Sequence, residues 1–367
     1  MPRRHRWTAL LIACSIVASP TSSPACCPAW RPGQPVRIAD QQILVIWDPD
    51  TRTEHFIREA KFSARAEGVE GRPEGFGFLV PSPTLPEIAA ADGSVFGHLN
   101  DRIKPRIEEV TRWRTHYSLL WRLFAPTSLV PTSRAMTDTA PPPMASVEVM
   151  RTARVGGYDV AVLKASDPLA LTEWLATNGF DSRPELTEWS RPYVDKGWMI
   201  TAFQYAADAA TIDVSAVRMS FETDTPIFPY RVPTDQIDEE ARRRNTLRAF
   251  VIGPGRAAGT LGEGRDARPW AQGKIAYSHP LEVNASFLGS VLPDGTAGGA
   301  TNAWLSAFED STWPSGTDDL TFAFDPAGAP FQRVQKHYTD RDWLLPLDAI
   351  ALTGLGLFFA ARRRASS

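Results

Sequence analysis

The chain has 367 residues, of which 43% are hydrophobic and 22% are charged, and its net charge is −3. These values are typical of a globular protein and exclude a disordered one, and the length allows one large domain or two ordinary ones. Because the slight acidity persists although six arginines lie in the two end segments, no nucleic-acid partner is expected.

The first 25 residues are typical of a secretory signal peptide. Arginines at positions 3, 4 and 6 precede an apolar run from Trp7 to Ala18, and small residues follow from Ser23 to Ala25. We therefore predict that residues 1–25 direct export and are removed, and that most of the chain lies outside the cytoplasm.

The three cysteines do not predict a disulfide framework. Cys14 lies within the apolar run of the signal, which leaves only the adjacent pair Cys26 and Cys27 in the mature chain. Neighbouring cysteines can close only a strained ring, so they do not cross-link distant parts of a fold. Pairing between molecules and lipidation are both open, which makes Cys26 and Cys27 a candidate thiol or lipid site.

Residues 26–125 are predicted to form an N-terminal α+β subdomain. Two β-rich runs, 36–47 and 53–62, flank a turn-forming Asp-Pro-Asp-Thr segment and indicate a hairpin. A further strand is expected over 75–81. The apolar spacing from Ile103 to Phe124 predicts a helix.

The segment 126–146 is rich in proline, serine and threonine and is predicted to be a linker or surface loop. Residues 147–343 then form a second α+β subdomain. It begins with two strands joined at Gly156-Gly157 and continues with helices that start after Asp167 and at Pro184. The predicted fold class is α+β, with largely antiparallel sheet, packed helices and two subdomains.

The C-terminal segment 344–361 is almost entirely apolar and is followed by a basic tail, 362–367. This pattern predicts a transmembrane helix with a cytoplasmic end, which would anchor the exported domain in the cytoplasmic membrane. Asp348 is the objection to a span, because a carboxylate at the bilayer centre costs roughly 2.5–3.5 kcal/mol, but it lies four residues from the outer end and can reach the interface. A buried C-terminal helix is the alternative.

Three residues are weak catalytic candidates: Asp48, Asp50 and His55. The Asp48-Pro-Asp50 segment resembles the Asp-x-Asp-x-Thr loop of haloacid-dehalogenase phosphatases, but Arg52 stands at its fifth position, so a hairpin turn is the better interpretation. The histidines are too scattered for a recognisable metal site. Gly253-Pro-Gly255 precedes no helix-forming segment, so no cofactor is predicted.

Four aromatic residues between the two later helices and the following strand invite two interpretations. Trp174, Trp189, Tyr193 and Trp198 have the spacing of core residues, which is the favoured interpretation. The alternative is that some of them line a groove for a glycan or a peptide.

Several separated motifs resemble those of the bacterial DUF2330 family between about residues 25 and 250. They are Ala25-Cys-Cys27, Ile46-Trp-Asp48, Thr53-Glu-His-Phe56, Phe76 to Pro81, Glu173-Trp-Leu175 and Tyr193 to Trp198. The resemblance implies an exported bacterial protein, commonly with a C-terminal membrane segment. It implies no activity and no catalytic residues, because the family's function is unknown.

The leading hypothesis for function is therefore a membrane-anchored extracytoplasmic binding or scaffold protein. Its partner would be an envelope protein or a glycan. The competing hypothesis is an extracytoplasmic hydrolase whose site is assembled from residues distant in sequence, with Asp48, Asp50 and His55 as first candidates.

Overall fold

A computed structural model of the chain describes residues 28–29, 36–64, 77–114, 147–180, 182–205, 216–237, 246–281, 289, 292, 303–313, 316–342 and 347–365. The predicted signal peptide, Cys26, Cys27 and the linker at 126–146 lie outside them. The helices are α1 (Ser94–Arg102), α2 (Pro168–Thr177), α3 (Pro184–Asp195) and α4 (Leu347–Arg364). The strands are β1 (Pro28–Ala29), β2 (Val36–Asp48), β3 (Thr53–Ala64), β4 (Gly77–Ser82), β5 (Glu87–Ala91), β6 (Arg106–Arg114), β7 (Val147–Val155), β8 (Tyr158–Ala165), β9 (Met199–Tyr205), β10 (Ala216–Glu222), β11 (Ile227–Phe228), β12 (Leu247–Gly253), β13 (Arg256–Leu261), β14 (Arg268–Pro269), β15 (Lys274–Pro280), β16 (Trp304–Asp310), β17 (Leu320–Asp325), β18 (Phe331–Gln332) and β19 (Val334–Asp342).

These strands form four sheets, so the predicted α+β class is confirmed. The largest has the order β18-β15-β16-β12-β2-β3-β10-β5, and the second has the order β1-β4-β9-β8-β7. A four-stranded sheet, β11-β17-β13-β14, and a β19-β6 pair complete the set. Both larger sheets combine strands from before and after residues 126–146, while the division into subdomains at that segment stays a prediction.

Among the described strands, pairing is antiparallel with two exceptions, β2 with β12 and β6 with β19. The hairpin predicted around residues 48–52 is confirmed, because Asp48 pairs with Thr53 at the turn between β2 and β3. The Gly156-Gly157 turn between β7 and β8 is also confirmed. Both glycines have positive φ, 58° and 82°, which is the conformation that a two-residue hairpin turn requires.

The hydrophobic core has three parts because the strands alternate their faces. On β3, Phe56 points into a core between the eight-stranded sheet on one side and the five- and four-stranded sheets on the other. Its neighbour Ile57 points the other way, toward α1 and the second core. The third core lies between the five-stranded sheet and helices α2 and α3. The molecule is therefore layered as helix, sheet, sheet and helix.

Helices α2 and α3 confirm the predictions from local sequence. The Asp167 carboxylate accepts hydrogen bonds from the backbone N–H groups of Leu169 and Ala170, at 2.7 and 3.4 Å, and so caps α2. Pro168 and Pro184 occupy the first helical positions, where a missing N–H costs little.

The helix predicted over 103–124 is wrong for the part that the structure describes. Arg106–Arg114 is strand β6, paired in parallel with β19 over nine residues. Ile107 and Val110 have helical spacing, but the backbone there forms ladder hydrogen bonds with a segment more than 200 positions later. Lys336 lies opposite Glu108 and Asp340 opposite Arg112, and opposite charges across a ladder stabilise it.

The segment predicted to span a membrane, 344–361, overlaps helix α4. The exposed side chains of this helix include Leu357, Phe358 and Phe359, and three arginines occupy its last turn. Among the residues that the structure describes, no helix combines the length and the apolar character needed to cross a membrane.

Candidate binding cleft

A cleft of about 800 Å³ lies at the end of the sheets where the β2–β3 turn emerges. Its walls come from residues within 51–52, 83–84, 222–227 and 260–267, together with Trp198 and Thr321. We call it the Trp198 cleft. Its volume falls in the range of small-molecule sites, which are concave and few in each protein.

The end of helix α3 places Trp198 in the cleft. The N–H of Gly197 donates to the carbonyl of Val194, and the N–H of Trp198 donates to the carbonyl of Tyr193, both at 2.9 Å. This pair of bonds is the Schellman motif, which needs a residue of positive φ just after the helix. Gly197 provides it, with φ of 72°, so the Lys-Gly-Trp sequence fixes the position of the indole.

The β2–β3 turn contributes Arg52 to the lining of the cleft. One oxygen of the Asp48 carboxylate accepts hydrogen bonds from the backbone N–H groups of Asp50 and Thr51, at 2.9 and 3.3 Å. Arg52 then takes a φ of 53°, which is unfavourable for a side chain with a Cβ. Its guanidinium forms an ion pair with Asp224, and its carbonyl accepts from the N–H of Thr223 at 3.0 Å.

Threonine is the commonest residue in the walls. Three of these hydroxyls donate to backbone carbonyls: Thr84 to Glu222 at 2.7 Å, Thr223 to Thr225 at 2.9 Å and Thr321 to Thr260 at 3.3 Å. A hydroxyl has one donor and two acceptor positions. The Thr223 oxygen also accepts from the N–H of Thr225 at 3.4 Å, which leaves it one acceptor position for a ligand, while Thr84 and Thr321 keep both.

Carboxylates dominate the charges of the cleft. Glu222, Asp224 and Glu263 line it, and Arg52 is the cation among the lining residues. Lys196, which precedes the Gly197 turn, binds Glu263 at 2.7 Å, and its ammonium nitrogen lies 5.4 Å from the centre of the Trp198 ring. The cleft therefore has a mildly negative lining in which the cations are already paired.

Two buried acids lie behind the walls. Glu54 is fully buried, and one of its oxygens accepts from the N–H of Ile227, a lining residue, at 2.7 Å. Burial raises the pKa of Glu54 well above its usual range, against the opposing effect of that N–H. Burial also raises the pKa of Asp319, which accepts from the hydroxyl of Tyr193 at 2.7 Å.

The three catalytic candidates from the sequence do not line the cleft. Asp48 caps the turn, Asp50 is exposed at its tip, and His55 is only 3% exposed. His55 points to the face of the sheet opposite to Glu54, where its Nδ1 lies 2.9 Å from the Ser220 hydroxyl. Burial, followed by the charge of Arg218, lowers the pKa of His55 to about 4. The catalytic role of these residues stays a prediction.

The sequence identified one cleft residue among its binding candidates, Trp198. The predicted core role is correct for Trp189 and Tyr193, which are buried. The threonines were missed because they come from five separate segments with no common motif. No cluster of three or more potential metal ligands occurs within the described parts of the chain.

A second, smaller groove of about 410 Å³ lies beside Trp174. We call it the Trp174 groove. Its lining combines apolar residues, among them Trp174, Phe180 and Ala202, with five polar or charged ones: Thr152, Arg154, Asp159, Asn178 and Gln204. The rings of Trp174 and Phe180 are stacked with their centres 6.5 Å apart. Each indole therefore packs on an aromatic ring, Trp174 on Phe180 and Trp198 on Tyr193, the latter with centres 5.5 Å apart.

Comparison with known proteins identifies one family. The sequence model described as an uncharacterized protein conserved in bacteria (DUF2330) matches residues 21–279. This range includes every lining residue of the Trp198 cleft except Thr321. No curated protein and no solved structure matches the chain.

Proposed function

The chain belongs to the DUF2330 family of bacterial proteins, and from this premise we propose that it is an exported binding protein that holds a polar ligand in the Trp198 cleft. The residues that line the cleft are the main support for this proposal. An indole placed by a helix-terminal turn faces hydroxyl and carboxylate groups in a concavity of about 800 Å³. Binding sites combine such apolar surface with a few well-placed polar groups.

The proposal gains support from the rigidity of the walls. Gly197 fixes the turn that carries Trp198, and Asp48 fixes the turn that carries Arg52. Arg52 keeps an unfavourable backbone conformation there. Such conformations persist where surrounding contacts determine them, and they cluster at functional sites.

A variant that fills the cleft tests the proposal. Ala267 is exposed and lines the cleft, so Ala267→Trp should block it with little effect on folding, and Ala327→Trp at another exposed alanine is the control. A soluble low-molecular-weight fraction of the bacterial envelope should raise the melting temperature of the wild type and the control by a few degrees, because ligand binding stabilises the folded state. Ala267→Trp should show no shift. Equal shifts in all three proteins would contradict the proposal.

We propose further that the domain works outside the cytoplasm and is held at the membrane by its C-terminal segment. The signal-like residues 1–25 and the arginine-flanked segment 344–361 support this location. Fusions of a periplasm-active reporter after Asp342 and after Ser367 test it. An active first fusion with an inactive second is expected, and an inactive first fusion would contradict export.

A hydrolase is the second candidate, and one contact favours it. The Ser220 hydroxyl lies 2.9 Å from His55 Nδ1, within reach for a base to activate a nucleophile. A fluorophosphonate probe would then react at Ser220, with loss of fluoride and transfer of the hydroxyl proton to His55. Labelling of the wild type but not of Ser220→Ala would support this candidate, and an unlabelled wild type would contradict it.

A further inference from the structure

The charges of the Trp198 cleft disfavour anionic ligands. Three carboxylates line it, and its arginine is already paired with Asp224. The nearby Lys196 is paired with Glu263. A phosphate or a carboxylate entering the cleft would compete with one of these acids for its cation and would be repelled by the remaining carboxylates. Because sites for such anions present unpaired arginine, lysine or backbone N–H groups, the lining disfavours anionic ligands.

The hydrogen-bonding capacity of the walls favours a ligand rich in hydroxyl groups. The hydroxyl protons of Thr84, Thr223 and Thr321 are directed to backbone carbonyls, so their oxygens remain as acceptors. The carboxylate of Glu222 is an acceptor as well when ionised. A ligand that fits this lining offers many O–H or N–H donors and no negative charge.

The indole adds a flat apolar surface to these polar groups. Trp198 is partly buried between two cores and contacts the ring of Tyr193, with centres 5.5 Å apart. Tyr193 is itself held by its hydrogen bond to Asp319. The face of a pyranose ring presents C–H groups, while its edge carries hydroxyls. A saccharide can therefore stack its face on the indole and donate hydrogen bonds from its edge to the surrounding acceptors.

We infer that the ligand of the Trp198 cleft is a neutral saccharide that stacks on Trp198 and donates hydroxyl hydrogen bonds to the threonines and to Glu222. The inference rests on the proposed function, since it names the class of ligand for the same cleft. The Trp174 groove provides an internal reference, because it also holds an indole but has one threonine in its lining, Thr152, where the cleft has six.

Direct titration tests the inference. The probes are neutral oligomers of hexose and of N-acetylhexosamine in several linkages, with oligogalacturonate as the anionic probe, and binding is measured by calorimetry on the full chain. At least one neutral oligomer should bind with a micromolar to millimolar Kd, and oligogalacturonate should bind at least tenfold more weakly. Trp198→Ala should weaken binding at least tenfold, while Trp174→Ala should change it less than twofold.

Three outcomes would overturn the inference: no neutral oligomer binds, the anionic oligomer binds best, or Trp198→Ala leaves the affinity unchanged in a protein with native circular dichroism. The proposed function fails in a different way. If the envelope fraction stabilises the wild type and not Ala267→Trp, the cleft is a binding site even when every saccharide fails. If Ala267→Trp responds as the wild type does, the Trp198 cleft is not the binding site, and the proposed function is wrong.

Discussion

The Trp198 cleft and the Trp174 groove show how the same residue type acquires different roles. Both indoles lie near the end of a helix that is followed by a glycine of positive φ, Gly197 with 72° and Gly179 with 83°. Trp174 belongs to the helix, and its groove is lined by one threonine and by the paired Arg154 and Asp159. Trp198 lies beyond the helix, in a cleft lined by six threonines and three carboxylates. The neighbours, more than the indole, decide which site suits a polar ligand.

The largest expected effect is a loss of stability from a substitution beside Phe180, in the wall of the Trp174 groove. A Cβ on Gly77 would lie 2.1 Å from the carbonyl oxygen of Phe203 and 2.5 Å from the ring of Phe180. Since backbone cannot move aside, Gly77→Ala should lower the free energy of unfolding by about 3 kcal/mol, the upper end for overpacking. Urea denaturation measures this change.

Gly97→Ala is the matched control for that substitution. A Cβ on Gly97 contacts nothing within 4 Å, and the residue lies inside helix α1. Alanine is the better helix former, so this variant should gain up to about 1 kcal/mol. If both variants have wild-type stability, the packing described around Phe180 is wrong.

The second expected effect is a pH dependence of stability that comes from His55 and Glu54, neighbours on opposite faces of β3. His55 has its pKa lowered to about 4 by burial, so below pH 6.5 the unfolded chain takes up the proton before the folded one. Stability should fall between about pH 6.5 and 4, by up to about 3 kcal/mol. Glu54 has its pKa raised by burial. Ionisation of Glu54 in the unfolded chain should therefore lower stability as the pH rises above about 4.5.

Chemical denaturation across this pH range checks the direction of the pH dependence expected from each residue. His55→Gln should flatten the acid side of the profile, and Glu54→Gln should flatten the side toward higher pH. An unchanged acid slope in His55→Gln would mean that His55 is not held neutral in the fold.

A smaller effect is expected at the turn that carries Trp198. Gly197→Ala introduces a Cβ at a φ of 72°, which costs about 1 to 2 kcal/mol. A Cβ there would contact nothing within 4 Å, so any loss comes from backbone strain. The variant should also bind the cleft ligand more weakly, because the turn sets the position of the indole. Wild-type stability would argue against the Schellman turn.

The smallest effect concerns the two aspartates of the β2–β3 turn. Asp48→Ala removes two hydrogen bonds to backbone N–H groups and should lower stability by about 1 kcal/mol. Asp50→Ala changes an exposed side chain at the tip of the turn and should have little effect. Equal losses in the two variants would contradict the capping role of Asp48.

Local sequence signals predicted the parts of the fold that depend on neighbouring residues. The Asp48 turn, the Gly156-Gly157 hairpin and the Asp167 cap each need only a few consecutive side chains. Strand β6 was mistaken for a helix because its partner β19 begins only at Val334. Helical spacing is a weak indicator when a distant segment can supply ladder hydrogen bonds.

The candidate site was harder to predict for the same reason. Its threonines acquire a common role only when the sheets bring residues 51, 84, 223 and 321 together. Trp198 was identified as an aromatic candidate, but the sequence did not separate it from Trp174, Trp189 and Tyr193. What separates them is the surrounding chemistry, which is a property of tertiary structure.

The most direct test of the account uses ¹⁹F NMR of the chain labelled with 5-fluorotryptophan. The signals of Trp198 and Trp174, two of twelve tryptophans, are assigned by single substitution to phenylalanine. Addition of the best-binding neutral oligosaccharide should shift the Trp198 signal and leave the Trp174 signal in place. A shift of Trp174 with Trp198 unchanged would contradict the assignment of the ligand to the Trp198 cleft.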